Sequence, residues 1–270
     1  AQRKGVLGRL DPASGNVQEI ALGEDAAPHG VIVGPDGSPW VTDGGLNAIV
    51  RVDPASHAVK VFPLPADHPR ANLNTPTFDH AGVVWFTGQN GIYGRLDPRS
   101  GEVRVWDAPK GVGPYGITTT PDGHVYYASL AGSYIAEIDT ASGAARVIEP
   151  PEPHQGARRI WADSKGALWV SEWNAGRIAR YDPRTRAWQS WRLPGDNPMP
   201  YAVYVDDRDI VWVSDWGANA VVRFDPVEGG FTAFPSPRRR GDIRQMAGRA
   251  GEVWGAESGT DHLVRIGTGG

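Results

Sequence analysis

Short apolar runs separated by polar turns follow one another along the whole chain, and their order repeats. The clearest copies are residues 28–54, 114–140 and 200–226. Each holds a Pro turn, an apolar run, an acidic turn, an aromatic-centred strand and a further strand. The strand-centre aromatics recur every 41 to 45 residues, as Trp40, Trp85, Tyr126, Trp169, Trp212 and Trp254. A repeat of about 40–50 residues that contains several strands is typical of a β-propeller.

Each repeat predicts four strands, which we label a to d from the propeller axis outward. Strand a follows the Pro turn, strand b carries the aromatic residue, strand c ends in Asp-Pro or a related pair, and strand d alternates apolar and polar residues. Strand a is predicted at 29–33, 70–78, 115–120, 157–162, 201–205 and 243–248. Strand c is predicted at 7–12, 48–54, 92–98, 134–140, 177–183, 220–226 and 262–267.

The predicted strands are unevenly distributed, because the chain begins with a c–d pair and ends on a c strand. We interpret the chain as a single all-β domain over residues 1–270. It would be a β-propeller of four-stranded blades with seven blade positions, the first represented only by its outer strands. The alternative is a six-bladed ring closed by the N-terminal strands.

Composition narrows the class of protein. The formal net charge is -4 and no long basic run occurs, so nucleic-acid binding is not expected. The densest cationic cluster, residues 238–240, falls in a predicted surface loop and is either simply solvated or an anion-binding patch.

Cysteine is absent, which excludes disulfides and thiolate metal sites. No apolar run reaches the length of a membrane span. We expect a monomer, and the lack of Cys with the Trp-rich strands favours a periplasmic or secreted protein.

The turn before strand a faces the central cavity of a propeller at one end of its axis. The residues in these turns are chemically mixed. Phenols, guanidiniums and an imidazole converging on one axis predict a ligand-binding cup rather than a polar ring that holds channel water. Tyr201 and Arg244 hold equivalent places in adjacent repeats, so they should share one pocket, and His29 should approach the same cavity. The full set is His29, Asn72, Asn74, Tyr115, Arg158, Arg159, Tyr201, Arg244 and Gln245.

Acidic residues recur at the end of strand b and form a second predicted ring. Glu172, Asp215 and Glu257 would suit Mg²⁺ or Ca²⁺ if their oxygens converge. Alternatively, these carboxylates accept hydrogen bonds from loop amides or pair with arginines. Trp173 and Trp216 directly follow two of the acids. They would serve as flat platforms for a sugar or peptide ring, or they would cover the gap between blades.

The repeat resembles that of the virginiamycin B lyase (streptogramin lyase) family. Four features carry the resemblance: the Pro-His or Pro-Tyr turn, the Pro-Asp-Gly turn, the Trp strand that ends in Thr or Ser followed by an acid, and the Asp-Pro pair at a strand end. The copies that show them most clearly are residues 28–54, 114–140, 167–183 and 200–226. The resemblance implies a seven-bladed propeller. It also implies a Mg²⁺-assisted elimination that opens a cyclic depsipeptide at its ester. In that scheme a base removes the proton beside a carbonyl and the metal stabilises the enolate.

The chain departs from this family where the resemblance places the chemistry, in the last two blades. Tyr201 stands where the family pattern has one His, and Arg244 replaces a second. Glu257 roughly matches the family's acidic position. The antibiotic-lyase reaction therefore does not follow from the resemblance alone, whereas the fold does.

Three functions remain open. The first is a carbon–oxygen lyase that acts on a cyclic peptide ester, a lactone or a uronic-acid-type substrate. In this lyase Tyr201 would be the acid and base, and Arg244 would be the cation that neutralises a carboxylate or enolate. His29 would be a further catalytic residue. The second is a non-catalytic propeller that binds a small or peptide-like ligand. The third is a metal-dependent lactonase or hydrolase. In each, the ligand would be bound by Tyr115, Arg158, Arg159, Gln245, Trp173 and Trp216.

Overall fold

The computed structural model describes residues 1–269; Gly270, the last residue of the predicted domain, lies outside them. One 3₁₀ turn, Gln2–Lys4, precedes 25 strands, and no helix among the described residues could cross a bilayer. The predicted all-β class is confirmed. The strands are β1 (Val6–Leu10), β2 (Val17–Ala21), β3 (Pro28–Val33), β4 (Pro39–Asp43), β5 (Ala48–Val52), β6 (Val59–Pro63), β7 (Leu73–Phe78), β8 (Val84–Gly88), β9 (Ile92–Leu96), β10 (Val103–Asp107), β11 (Pro114–Thr119), β12 (Val125–Ser129), β13 (Tyr134–Ile138), β14 (Ala145–Ile148), β15 (Ala157–Ala162), β16 (Leu168–Glu172), β17 (Arg177–Asp182), β18 (Ala187–Arg192), β19 (Pro200–Val205), β20 (Val211–Asp215), β21 (Ala220–Phe224), β22 (Phe231–Pro235), β23 (Ile243–Arg249), β24 (Glu252–Glu257) and β25 (His262–Gly267).

The strands form sheets in which chain neighbours are also sheet neighbours. Strands β3–β6, β7–β10, β11–β14, β15–β18 and β19–β22 make five four-stranded sheets, as the repeat predicts. Strands β1 and β2 form a two-stranded sheet and β23–β25 a three-stranded one. The number of blade positions stays a prediction.

Spatial proximity groups the residues into two compact units. The first unit contains Ala1–Ile117 with Ala141–Gly143, and the second contains Thr118–Thr140 with the residues from Ala144 onward. The single domain over residues 1–270 therefore stays a prediction as well.

Two sets of predicted boundaries are corrected by the structure. Most c strands end before the Asp-Pro pair, because the Asp carboxylate accepts hydrogen bonds from the turn; Asp53 Oδ1, for example, accepts the N–H groups of Ala55 and Ser56 at 3.0 and 2.8 Å. The inner strand predicted from residue 70 begins at Leu73, because Asn72 has a left-handed φ of 52° that no extended strand adopts.

The repeating aromatics occupy equivalent places on the second strand of each complete repeat. Each pairs with a charged residue on the next strand: Trp40 with Arg51, Trp85 with Arg95, Tyr126 with Glu137, Trp169 with Arg180, Trp212 with Arg223 and Trp254 with Arg265. The first five are buried and Trp254 is half-buried. Trp40 packs in a core cluster that includes Leu73 and Phe86 of the next sheet. The predicted equivalence of these positions is confirmed.

An acceptor six residues earlier fixes the orientation of three of the indoles. The N–H group donates to an Asp carboxylate in the pairs Trp85–Asp79 at 2.8 Å, Trp169–Asp163 at 3.1 Å and Trp212–Asp206 at 2.9 Å. In the β3–β6 sheet, Gly34 stands at the Asp position. A Cβ atom on Gly34 would lie 2.8 Å from Trp40 Nε1, so the close approach of the ring leaves no room for a carboxylate there.

A hydroxyl near the end of the second strand links successive sheets within the second unit. Ser171 Oγ accepts the Arg159 N–H at 3.0 Å and donates to the Tyr201 carbonyl at 2.6 Å. Ser214 Oγ likewise donates to the Ile243 carbonyl at 2.9 Å. These buried bonds set the position of one inner strand relative to the next, and the inner strands begin at the candidate site.

We predict that Asp206→Ala lowers the free energy of unfolding by about 1–3 kcal/mol, because it leaves buried N–H donors without their acceptor. Besides the Trp212 indole, Asp206 accepts the backbone N–H groups of Arg208 and Ile210 at 2.9 and 3.0 Å. The matched control is Asp207→Ala, an exposed neighbour expected to stay within about 0.5 kcal/mol. Equal losses for both variants in denaturant titrations would contradict the role of the Trp–Asp pair.

Candidate functional site

The repeat places three predicted site residues at equivalent backbone positions in the second unit. Arg158, Tyr201 and Arg244 each follow the first residue of an inner strand, β15, β19 or β23. That first residue pairs with the acid that ends the adjacent strand, and the register shifts directly after it. A bulge of this kind redirects the side chains beside it. The same local geometry therefore presents three different side chains.

Tyr201 lies at the centre of this group and is fully buried. Its ring stacks on Trp216 with centroids 4.8 Å apart and an interplanar angle of 13°, and it meets Trp173 edge-on at 5.7 Å. The guanidinium carbon of Arg158 lies 3.6 Å from the Tyr201 ring centroid and 4.4 Å from that of Trp173. The Tyr201 ring is thus enclosed by two indoles and a cation, an arrangement that aromatic quadrupoles favour.

Arg244 contacts the polar end of Tyr201. Its Nη1 donates to the Tyr201 hydroxyl at 3.5 Å, its Nε donates to Ser258 Oγ at 2.8 Å, and its guanidinium carbon lies 4.8 Å from the Trp216 ring centroid. Arg159, which is almost fully buried, donates from Nη2 to the Arg244 carbonyl at 3.2 Å. The structure therefore brings together what we call the arginine–aromatic cluster: Arg158, Arg159, Trp173, Tyr201, Trp216 and Arg244.

The contact between Tyr201 and Arg244 is the one that the period of the repeat predicts. Gln245 follows Arg244 and is half-buried. Ser258, which accepts a hydrogen bond from Arg244 of the cluster, is a site residue that the sequence analysis missed. It follows Glu257 as Trp173 follows Glu172 and Trp216 follows Asp215, so the same periodicity identifies its position. Because Ser lacks the size of Trp, it did not stand out there.

The first unit contains its own group at the equivalent turns. His29 Nδ1 lies 3.2 Å from the Asn74 carbonyl, and the His29 and Tyr115 rings meet edge-on at 6.5 Å. Asn74 and Tyr115 are buried and His29 is half-buried. The catalytic role of His29 and the ligand-binding role of Tyr115 stay predictions.

The carboxylates predicted as metal ligands have the partners of structural acids. Asp215 Oδ1 accepts the N–H groups of Met199 and Gly217 at 2.8 and 2.9 Å. Glu172 pairs with Arg177, whose Nε donates to its Oε2. Glu257 accepts hydrogen bonds from two hydroxyls, of Ser236 at Oε1 and of Thr260 at Oε2.

The donor set does not fit a Mg²⁺ or Ca²⁺ site. Nowhere in residues 1–269 do three His, Cys, Asp or Glu side chains come together in a group that could hold a metal. Near the predicted ring, Asp215 and Glu257 line a cavity of about 10 Å³, room for about one water molecule. Asp215 Oδ2 is buried and has no hydrogen-bond partner within residues 1–269, so it is an oxygen that such a water would satisfy.

The two tryptophans have a different environment from the open platform considered above. Arg158 covers Trp173, while Trp216 carries Tyr201 and Arg244. Both indoles are half-buried and meet each other edge-on at 5.5 Å. The ring faces therefore hold guanidinium groups in place. A ligand at this surface would contact arginine side chains.

Comparisons with known proteins agree with this fold. Residues 15–270 match the sequence profile of the Virginiamycin B lyase family. A catalytically inactive virginiamycin B lyase from Staphylococcus aureus, solved with quinupristin, is similar at 23% identity and a TM-score of 0.84, covering 97% of this chain and 85% of that one. A streptogramin B lyase structure is similar at 23% identity and a TM-score of 0.89, covering 98% and 87%. These likenesses establish the β-propeller fold.

A curated relative matches a shorter segment. A gluconolactonase from Zymomonas mobilis subsp. mobilis is 35% identical over 79 residues, which is 27% of this chain. The match spans only 22% of the length of that relative.

We predict that Glu172 makes stability depend on pH. Burial raises the pKa of its carboxyl above the ordinary value of 4.5, and the Arg177 guanidinium opposes this shift. Folding thus favours the neutral carboxyl group. The contribution of Glu172 to the free energy of unfolding is therefore fully present below pH 4.5 and is lost as pH rises through the raised pKa. Relative to Glu172→Gln, the wild-type protein should lose stability between acid and neutral pH.

The control for this titration is Glu152→Gln. Glu152 contacts the same Arg177 at 2.9 Å but is exposed. Thermal unfolding of the three proteins across this pH range should separate Glu172→Gln from the other two. Parallel pH profiles for the wild type and Glu172→Gln would contradict the raised pKa.

Proposed function

This chain belongs to the virginiamycin B lyase family, and from that premise we propose that it is a carbon–oxygen lyase whose chemistry takes place at the arginine–aromatic cluster. The observation that carries the proposal is the contact of the Tyr201 hydroxyl with the Arg244 guanidinium at 3.5 Å. A phenol that can exchange a proton, placed beside a fixed cation, supplies the two functions that an elimination needs.

In the proposed reaction, Tyr201 acts as the phenolate, next to the Arg244 cation, and accepts the proton beside a substrate carbonyl. The electron pair of that C–H bond forms a carbon–carbon double bond, and the carbon–oxygen bond to the leaving group breaks. Arg244 stabilises the enolate charge in the transition state, and the departing oxygen takes up the proton. The proton, the electron pair and the leaving oxygen are thus all accounted for without added water.

The burial of Tyr201 sets a condition on this mechanism. Arg158 lies over its ring and is itself half-buried, so it is the side chain whose displacement would open a path from solvent. A substrate carboxylate or carbonyl oxygen that attracts Arg158 would supply the driving force. We propose that ligand binding and exposure of the Tyr201 hydroxyl are coupled in this way.

The substrate classes that fit are a cyclic peptide ester, a lactone and a uronic-acid-type substrate. Each has a proton beside a carbonyl and an oxygen leaving group. A metal-dependent lactonase is not favoured, since the predicted metal ligands have other partners.

A non-catalytic binding protein is the second candidate, and the full burial of Tyr201 favours it. In that case the arginines bind an anionic or peptide-like ligand above an aromatic layer that never contacts it. The two candidates share their ligand-binding residues and differ in the need for the phenol.

We predict that the protein opens a streptogramin B such as quinupristin, a lactone or an oligouronate, and that Tyr201→Phe lowers turnover by at least about 100-fold. Mass spectrometry identifies the reaction on the cyclic ester, because elimination leaves the mass unchanged whereas hydrolysis adds one water. Tyr204→Phe is the matched control, a buried tyrosine on the same strand outside the cluster. It should keep full activity.

Absence of turnover on all three substrate classes by folded protein would contradict the lyase proposal and leave the binding candidate. Turnover that Tyr201→Phe leaves intact, with an unchanged melting temperature, would instead reject Tyr201 as the acid and base.

A further inference from the structure

Three arginines, one within the cluster and two close to it in the chain, have no acidic partner among the described residues. Arg239, Arg240 and Arg244 fall within six residues of the chain, and all three are exposed. In the described part of the chain, Arg238 lies 3.9 Å from Glu257, but no carboxylate lies within ion-pair distance of the other three arginines. Arg244 is held instead by a serine and a tyrosine hydroxyl. In a chain of net charge -4, this is a local excess of positive charge.

The backbone of this segment is fixed against the cluster. Asn219 joins its two ends, donating from Nδ2 to the Arg238 carbonyl at 2.7 Å and accepting the Gly241 N–H at Oδ1 at 2.8 Å. The Gly259 N–H donates to the Gly241 carbonyl at 3.1 Å. Gly259 lies in the same turn as Ser258, the residue that holds Arg244. The exposed arginines are therefore presented beside the cluster by a well-bonded loop.

The loop also stores backbone strain. Arg240 and Asp242 have left-handed φ values of 56° and 51°, which cost energy in residues other than glycine. A Cβ atom at Gly259 would lie 1.9 Å from the Arg240 carbonyl oxygen, so the turn and the loop are in close contact.

We propose that residues 239–244 extend the arginine–aromatic cluster into an elongated site for an oligouronate, an acidic oligosaccharide with a carboxylate on every residue. Arg244 would hold the carboxylate of the reacting residue, and Arg239 and Arg240 that of the next. Guanidinium forks bind carboxylates in bidentate geometry, which an ammonium does not match. The choice of a uronate rests on the proposed lyase function, whereas a site for an extended polycarboxylate rests on the arginines alone.

The chemistry of a uronate suits this placement. The proton to be removed lies on the carbon that bears the carboxylate, so a cation on that carboxylate also stabilises the enolate. The C4–O bond then breaks, its electron pair leaves on the glycosidic oxygen, and that oxygen gains a proton as the C4–C5 double bond forms. An uncharged cyclic peptide ester would have no group for Arg239 and Arg240 to bind.

Nucleic acid is the less favoured polyanion. Proteins that bind single strands stack bases on open aromatic faces. Here the face of Trp173 carries Arg158, and Trp216 carries Tyr201 and Arg244. Single-stranded DNA and an acidic peptide are therefore comparison ligands in the test.

The test is calorimetric binding of galacturonate monomer and trimer to the full chain, with maltotriose as a neutral trimer. We expect the trimer to bind about tenfold more tightly than the monomer. The double variant Arg239→Gln/Arg240→Gln should remove this gain and leave monomer affinity unchanged. The control pair is Lys165→Gln/Arg184→Gln, exposed cations in turns at the other end of their strands, and it should behave as wild type. High salt should reduce the gain, because exposed pairs are screened.

The inference is overturned if the trimer binds no better than maltotriose or the monomer, or if the double variant keeps the gain. It is also overturned if oligothymidylate or oligoglutamate of equal charge binds as tightly. The proposed lyase function is tested separately, by the ultraviolet absorbance of the double bond that turnover of the bound trimer would form. Trimer binding without this absorbance would support the site for an oligouronate and count against the lyase. Turnover of quinupristin without trimer binding would reject the oligouronate and keep the lyase.

Discussion

A buried hydroxyl on the second strand of a sheet is the constraint on which the site depends. In the first unit, Thr42 accepts the Gly30 N–H at 2.9 Å and donates to the Asn74 carbonyl at 2.5 Å. Ser171 makes the same pair of bonds in the second unit, to Arg159 and Tyr201. Each hydroxyl joins the inner strand of its own sheet to the inner strand of the next. Losing it would leave buried backbone groups unpaired, so sheet spacing and site geometry are fixed by the same atoms.

The repeated backbone allows the chemistry to vary from sheet to sheet. His29, Tyr115, Arg158, Tyr201 and Arg244 follow equivalent first residues of inner strands, and their side chains differ completely. Packing in the repeat is maintained by the second-strand aromatics and their buried acceptors, which lie at other positions on these strands. The residues at the strand starts take no part in that repeated packing, and Tyr201, although buried, packs against Trp173 and Trp216 instead. Function is therefore separable from stability in this fold, as in other repeat proteins.

Electrostatics divides the charged residues into two groups. The buried acids at the strand ends accept hydrogen bonds from backbone amides, hydroxyls or one arginine, so each has local partners. Arg244 is held by an aromatic face and two hydroxyls, and no carboxylate of the described residues lies within ion-pair distance of it. An exposed, unneutralised guanidinium retains its attraction for an anion. This difference is why we assign chemistry to the arginines and a structural role to the carboxylates.

The sequence by itself determined the strand repeat, the shared register of Trp40, Trp85, Tyr126, Trp169, Trp212 and Trp254, and the meeting of Tyr201 with Arg244. All three follow from periodicity, because equivalent residues of successive repeats occupy equivalent places. Only the tertiary structure decided that Tyr201 is fully buried, that arginines cover the Trp173 and Trp216 rings, and that Glu172, Asp215 and Glu257 have separate partners. These outcomes depend on which turn or side chain of a neighbouring sheet lies close enough to contact each group. The spacing of residues along the chain does not determine those contacts.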